Sequence, residues 1–346
     1  MSVPDVAMWL LRRRRALAAR APVVFHANAI GDRLLALPAV RALASLFPGR
    51  LTVVGPAMDE RLYYAGLPLR AFHPFKMRWV GYSQFDPGAL ARQLEGCDLL
   101  VSFNSWHSED VDALLAQLPG AVSIGFFRAF TKRFRRPETV NVCDAHFQAP
   151  RWLRRELRLE DFSQPPPLPE ESLAAARQLR ASLPPGARLL ALHTEPSEDF
   201  KRWPAERFAR VLEAFLERHP DFLVLVVDRA ESGLEAIRHG DRVLSCAGSD
   251  LTLAMALVGT ADLFLGIDSC MLHVADFFRV PAVGLFGQTR PSYWGCRFTT
   301  HRCLDANGPL ETLGEPEVLD ALEALVDAPR QSPPGPQVQT GVLGYR

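Results

Sequence analysis

Hydrophobic residues along this chain fall into short unbroken runs. In the first half these are PVVFH (22–26), LTVVG (51–55), DLLVSF (98–103) and AVSIGF (121–126). In the second half they are RLLALH (188–193), DFLVLVV (221–227), RVLSC (242–246), ADLFLGI (261–267) and PAVGLF (281–286). The runs are continuously apolar rather than alternating. That predicts strands buried on both faces, as in parallel sheets covered by helices. Between them the period lengthens to that of a helix, as in DRLLALPAVRALASLF, PAERFARVLEAFLERH and DLTLAMALVG. Strand–helix alternation in both halves predicts a doubly wound α/β fold.

The segment DFSQPPPLPEESLAAARQLRASLPPGAR (161–188) interrupts this rhythm. PPPLP is stiff and extended, and LPPG is a second breaker. The expected division is a first domain over 1–160, a linker with one helix over 161–187, and a second domain over 188–328. The Pro/Gln/Gly-rich stretch 329–346 reads as a mobile tail. A length of 346 residues suits two such domains.

Composition then excludes classes. Lys and Arg total 39, as do Asp and Glu, so the balance speaks against nucleic acid as a partner. No apolar run nears the roughly 20 residues that span a bilayer. Six scattered cysteines do not form a disulfide framework and suit a reducing compartment. In MSVPDVAMWLLRRRRALAARA the apolar residues precede the arginines, the reverse of a secretory signal. This predicts a basic amphipathic helix, either solvated or resting on an anionic membrane surface.

Open α/β sheets bind ligands beyond the carboxyl ends of their strands. After PVVFH, Gly31 permits close backbone approach and Asp32 sits at a helix start, as a cap or facing a cleft. After RLLALH come Thr194 and the cations Lys201 and Arg202, suited to phosphate, with Trp203 available for packing. Asp228 and Glu231 follow DFLVLVV as ribose partners or helix-start acids. After ADLFLGI, Asp268 ends the strand and Ser269 and Cys270 open a helix whose amides are free for an anion. His273 follows one turn later, either packed or leaning into the same crevice. GxGxxG, P-loop and GxSxG motifs are absent. The spacing of Cys296, His301 and Cys303 matches no regular zinc pattern, so no metal is expected.

The stretches IGDRLLALPAVRAL (30–43), HTEPSEDFKRWPAERF (193–208) and DLFLGIDSCMLHVADFFRVPAVGLFGQTRP (262–291) resemble the family-nine glycosyltransferases. The best-known members are the ADP-heptose:lipopolysaccharide heptosyltransferases. The resemblance runs over about residues 22–330. It implies a GT-B fold, two Rossmann-like doubly wound domains facing a cleft. It also implies an inverting, metal-independent transfer without a cofactor, from a nucleotide-diphosphate sugar to lipopolysaccharide or another surface glycan. By this resemblance Asp32 is the catalytic base. Thr194, Lys201, Asp268, Ser269, Cys270 and His273 are donor positions. Gly31 is expected on the acceptor side, as are Arg133 and Arg135 on the basic character of their segment alone. The expected partners are a nucleotide-sugar donor and a glycan or lipid-linked saccharide, with peripheral contact at the inner face of a membrane and a cytoplasmic location. The alternative is a non-catalytic GT-B protein that binds sugar nucleotides or glycans. One departure stands out: Cys270 replaces the family's glycine, beside a diphosphate. The basic segment 126–140 matches nothing assignable.

Overall fold

The computed structural model describes residues 3–79 and 83–335. It holds two six-stranded parallel sheets. The first is formed by β1 (Pro22–Phe25), β2 (Leu51–Gly55), β3 (Leu69–Pro74), β6 (Leu99–Ser102), β7 (Val122–Gly125) and β8 (Lys132–Arg133), in the order β3-β2-β1-β6-β7-β8. A small antiparallel hairpin, β4 (Arg78–Trp79) with β5 (Ser83–Gln84), stands outside it. The second sheet comprises β9 (Arg188–His193), β10 (Phe222–Val226), β11 (Val243–Ser245), β12 (Leu263–Ile267), β13 (Ala282–Phe286) and β14 (His301–Asp305), in the order β11-β10-β9-β12-β13-β14. Both orders are those of a Rossmann sheet, and each reverses once, between β1 and β6 and between β9 and β12. Such a reversal opens a crevice at the carboxyl ends of the two central strands.

The helices are α1 (Val3–Leu17), α2 (Ile30–Leu46), α3 (Asp59–Leu62), α4 (Pro87–Gln93), α5 (Glu109–Ala116) and α6 (Val142–Leu153) in the first half. The second half has α7 (Glu170–Ser182), α8 (Ala205–Arg218), α9 (Leu251–Thr260), α10 (Cys270–Phe277), α11 (Pro291–Trp294) and α12 (Glu315–Glu323). β1, β6, β12 and β13 are buried along their whole length, which accounts for their unbroken apolar sequences.

The halves are packed against each other rather than merely tethered. One apolar cluster continues from α2 and α6 into α9 and α10. Around it Asn141 Nδ2 donates to Gly295 O at 2.8 Å and Ser292 Oγ to Glu138 O at 2.7 Å. Arg297 pairs with Asp144 at 2.7 Å and Glu160 at 3.1 Å. In the stretch between the sheets, α7 packs on α9, with the hydroxyls of Ser172 and Thr252 at 2.8 Å. Arg330 donates to the carbonyls of Gly259, Ala261 and Phe278, so the chain just past residue 329 is tied to the second half. The expected tail beyond residue 335 lies outside the described residues.

Candidate active site

The two sheet reversals face one another, and the residues that follow β1, β9 and β12 meet there. α2 opens directly after β1. Its N-cap is Ala29, so Asp32 is not the cap but lies in the first helical turn. The carboxylate has no hydrogen bond or ion pair among the described residues. Burial pushes its pKa from 3.8 up to about 6; Lys201 pulls against the rise, Asp268 adds to it, and Arg136 and Arg33 lower it. The turn below it is rigid. Arg33 pairs with the fully buried Asp59 at 2.7 Å and also donates to Asn28 O. Asn104 Oδ1 accepts from Ala27 N at 2.7 Å, and Asn28 Oδ1 from Ser105 N at 3.0 Å.

Facing Asp32, Lys201 Nζ lies 2.7 Å from Asp268 Oδ2. The backbone N–H of Asp268 continues the sheet by donating to Leu285 O at 3.0 Å. Asp268 therefore orients the lysine rather than standing alone as a ligand group. Neighbouring Arg202 is exposed with Asp199, and Trp203 is a core residue whose Nε1 donates to Leu313 O at 3.1 Å. Thr194 is anchored by Asp228. Its N–H and hydroxyl donate to the two carboxylate oxygens at 2.8 and 2.6 Å, and His193 Nδ1 lies 2.9 Å from Oδ1. Burial alone would raise the Asp228 carboxyl, but contacts with His193 and Thr194 outweigh it and hold it below the ordinary value. Asp228 is thus committed to shaping the loop after β9, and Glu231 accepts from Ser245 Oγ at 2.8 Å.

Ser269 is the N-cap of α10, and its hydroxyl is buried without a partner. Thr289 Oγ1, His273 Nδ1 and Tyr293 OH are buried and unpartnered too. Buried polar atoms in a native fold are normally satisfied. Four orphans beside β12 and β13 mark a place shaped for a polar ligand. Burial depresses the His273 imidazole to about 4, against Asp268 and with Lys201, so it is neutral at physiological pH. A Cβ on Gly31 would come within 3.1 Å of His273 Cδ2 and 3.5 Å of Cys270 Cα. Glycine is what lets α2 and α10 approach this closely.

The Cys270 thiol meets side chains of the first half. It contacts the Tyr63 hydroxyl, which itself donates to Ile30 O at 3.0 Å. Burial raises the thiol to about 12, more than the Arg33 charge and Tyr63 contact lower it. The helix N-terminus does not make it acidic.

Arg133 and Arg135 are exposed, Arg133 on the edge strand β8 near α1. The cation of this segment that acts on Asp32 is Arg136, half-buried over the Phe126 ring at 5.1 Å and reaching Ser105 O at 3.4 Å. Tyr293 also belongs to the site. Burial raises its phenol to about 12, with Arg136 opposing and Asp32 adding. Nothing in the sequence separates Arg136 from the four other cations of 128–136. Among the described residues no three His, Cys, Asp or Glu are grouped to hold a metal. Cys296 and Cys303 adjoin each other, while His301 turns its Nδ1 to Thr299 O.

Residues 89–313 match the model of Glycosyltransferase family 9 (heptosyltransferase). The chain belongs to this family. It is accordingly a glycosyltransferase with the GT-B fold. Asp32 lies before the matched range. No curated protein matches the chain. Among solved structures it is similar to a glycosyltransferase family 9 protein from Veillonella parvula, with a TM-score of 0.70 at 17% identity over 89% of this chain and 97% of that one. It is similar to ADP-heptose lps heptosyltransferase II of E. coli, with a TM-score of 0.64 at 16% identity over 88% and 98%. The E. coli heptosyltransferase WaaC with ADP gives 0.62 at 15% identity over 87% and 99%.

Proposed function

We propose that this enzyme moves a sugar, heptose being the first candidate, from a nucleotide-diphosphate donor to lipopolysaccharide or another surface glycan, with inversion and without a metal. The observation that carries the proposal is Asp32. It is a carboxylate without a hydrogen-bond partner among the described residues, raised to about 6 by burial, and placed across the cleft from Lys201 and the start of α10. Single displacement needs this arrangement. The acceptor oxygen attacks the anomeric carbon from one side and its proton passes to Asp32, while the diphosphate leaves on the other. Heptosyltransferases of similar structure are named with ADP and ADP-heptose, which makes an adenine nucleotide the first donor to test.

The leaving diphosphate gathers charge as the glycosidic bond breaks. Lys201 and the unpaired amides opening α10 supply the compensation. In the free enzyme Asp268 holds Lys201 in place, so the donor phosphates compete for a cation already aimed at them. Ser269 and Thr289 offer hydroxyls and neutral His273 offers a ring nitrogen, whereas the Thr194 hydroxyl is taken up by Asp228 and acts through the loop it fixes. None adds negative charge beside the phosphates.

For the acceptor, the first half offers a cavity of about 980 Å³ between the β4–β5 hairpin and the start of α5, with Lys76, Arg78, Phe85 and Asp110 in its wall. It lies beyond the carboxyl end of β3, on the same sheet edge as Asp32. Two cations, the carboxylates Asp86, Glu109 and Asp110 and the Phe85 ring suit a polar saccharide. Arg136, outside this cavity's wall, stands over Phe126 and acts on the base. Among the described residues no helix is long and apolar enough to cross a membrane. The proposed location is cytoplasmic, with the acceptor met at the inner face of a membrane.

The test is a thermal-shift screen of nucleotides and nucleotide sugars, followed by transfer assays with the stabilising donor. A specific nucleotide diphosphate that raises the melting temperature names the donor through linkage. If none stabilises the enzyme and transfer with ADP-heptose is nil, the donor assignment is wrong. If transfer survives chelation by EDTA unchanged, the metal-free step stands.

A further inference from the structure

α1 lies at the edge of the first half, against α6 and β7. Its inner face is firmly seated. Ala16 is fully buried, Trp9 and Leu17 pack on the core, and Arg13 donates to Trp152 O at 2.8 Å and Leu153 O at 3.1 Å. These carbonyls close α6 and lack helical partners, so an arginine fits there. Arg12 reaches Thr131 O at 3.4 Å and Arg15 reaches Gly120 O at 3.0 Å. The helix is therefore held in one orientation.

That orientation turns an apolar row outward. Met8 is 49% exposed, Leu10 45% and Leu11 60%. They are three of the five large hydrophobic side chains exposed among the described residues, and they fall within four positions. On the helical wheel Arg14 and Arg15 alternate with them on the same side. Beside this row is a shallow depression of about 300 Å³ bounded by Met8, Arg12, Lys132, Arg133 and Trp152. The surrounding sequence is strongly basic. Residues 3–17 and 126–158 together carry thirteen Lys and Arg against four Asp and Glu, in a chain whose total charge is zero.

We infer that this face docks the enzyme on an anionic phospholipid surface. Leu10, Leu11 and Met8 enter the acyl boundary while Arg14 and Arg133 meet phosphate headgroups, their aliphatic stems lying along the apolar row. Apolar side chains alternating with cations are what an anionic interface requires. A nucleic-acid surface would leave Leu10 and Leu11 without a role, and it would ask for an exposed stacking ring, whereas Trp9 is packed beneath Arg13 at 5.8 Å. The inference goes beyond glycosyl transfer and stands on the surface alone, so docking and catalysis can fail independently.

The test is co-sedimentation of the full chain with vesicles of phosphatidylcholine alone, or with about one third phosphatidylglycerol. Wild type is expected to bind the anionic vesicles selectively, and binding should weaken as salt shortens the screening length. Arg14→Glu should lower partitioning about fivefold or more. The pair Leu10→Gln and Leu11→Gln should lower it at every salt concentration. Both variants should melt within a few degrees of wild type, since these side chains are exposed. Equal binding to neutral vesicles, or none to either, overturns the inference. So does a concentration-dependent dimer that the Leu10/Leu11 variant abolishes while no vesicle binds. Preferential capture of DNA over anionic vesicles overturns it as well.

Discussion

Asp32→Asn keeps the shape of the side chain and removes its charge. If Asp32 is a desolvated base, the change should stabilise the fold while stopping the reaction. The carboxyl moves from 3.8 to about 6 on folding. At about 1.4 kcal/mol per unit this corresponds to about 3 kcal/mol favouring the protonated form in the folded state. The sign follows. Between pH of about 4 and 6 the folded protein binds this proton and the unfolded chain does not, so wild type loses stability as pH rises through that window. Below the window the cost is absent, and above it the full cost persists. Asn titrates nowhere in this range. The stability difference between variant and wild type should therefore grow by up to about 3 kcal/mol from pH 4 to pH 7.5. With an unfolding entropy near 2.1 cal/mol/K per residue, that is about 4 °C in melting temperature for a chain of this length. Comparing two pH values cancels any fixed cost of burying the amide. Melting scans of both proteins at the two pH values read the effect directly. The same substitution should lower kcat about 10²- to 10⁴-fold, and wild-type kcat/KM should fall as pH drops through about 6. A melting difference that does not change with pH would refute the desolvated carboxylate. Transfer at the wild-type rate by Asp32→Asn would refute its role as base.

Other substitutions divide donor binding from folding. Lys201→Met should reduce kcat/KM about 100-fold and, by leaving Asp268 buried without its partner, cost about 2 kcal/mol; adding Asp268→Asn should restore the melting temperature but not transfer. Cys270→Gly should cost about 1 kcal/mol through lost packing against Tyr63 and leave donor affinity, measured by calorimetry, no weaker. The native Cys270 thiol should resist iodoacetamide at pH 8 in the folded protein. His146 is buried beside His26, with ring centroids 5.7 Å apart, and burial is the main cause that lowers it to about 3. Its neutral form is native and its unfolded pKa is ordinary, so stability should fall as pH drops below about 6.5, and His146→Phe should flatten that acid limb in denaturant titrations.

The fold was readable because burial on both faces leaves an unmistakable run of apolar residues. All nine apolar runs became strands of the two sheets. The strands that left no signal are those at or near edges. In β3 the residues are half-buried or exposed, β8 consists of Lys132 and Arg133, and β14 begins with exposed His301 and Arg302. An edge strand pairs on one side only and carries polar side chains, which also discourages pairing with other chains. A period-based reading has nothing to hold on to there. The two-residue β8 further hid the fact that 126–140 is fixed in place, which is why Arg136 could not be told from Arg133 and Arg135.

The position that departs from the family illustrates a different limit. Glycine beside a diphosphate suggests that any side chain at 270 would crowd the donor. That holds only if the Cβ bond points toward the ligand. In the first turn of α10 it points toward Tyr63, because α10 lies against α2 and Gly31 leaves room for the approach. The crowding at this contact is thus relieved on the α2 side, where an added Cβ would stand 3.1 Å from His273. Cys270 consequently acts on the packing between the two halves, and the amides at the start of α10 remain open toward the cleft. Of positions 31 and 270 at this crossing, substitution of Gly31, one residue from Asp32, is therefore the one that presses on His273 and forces a small local shift there.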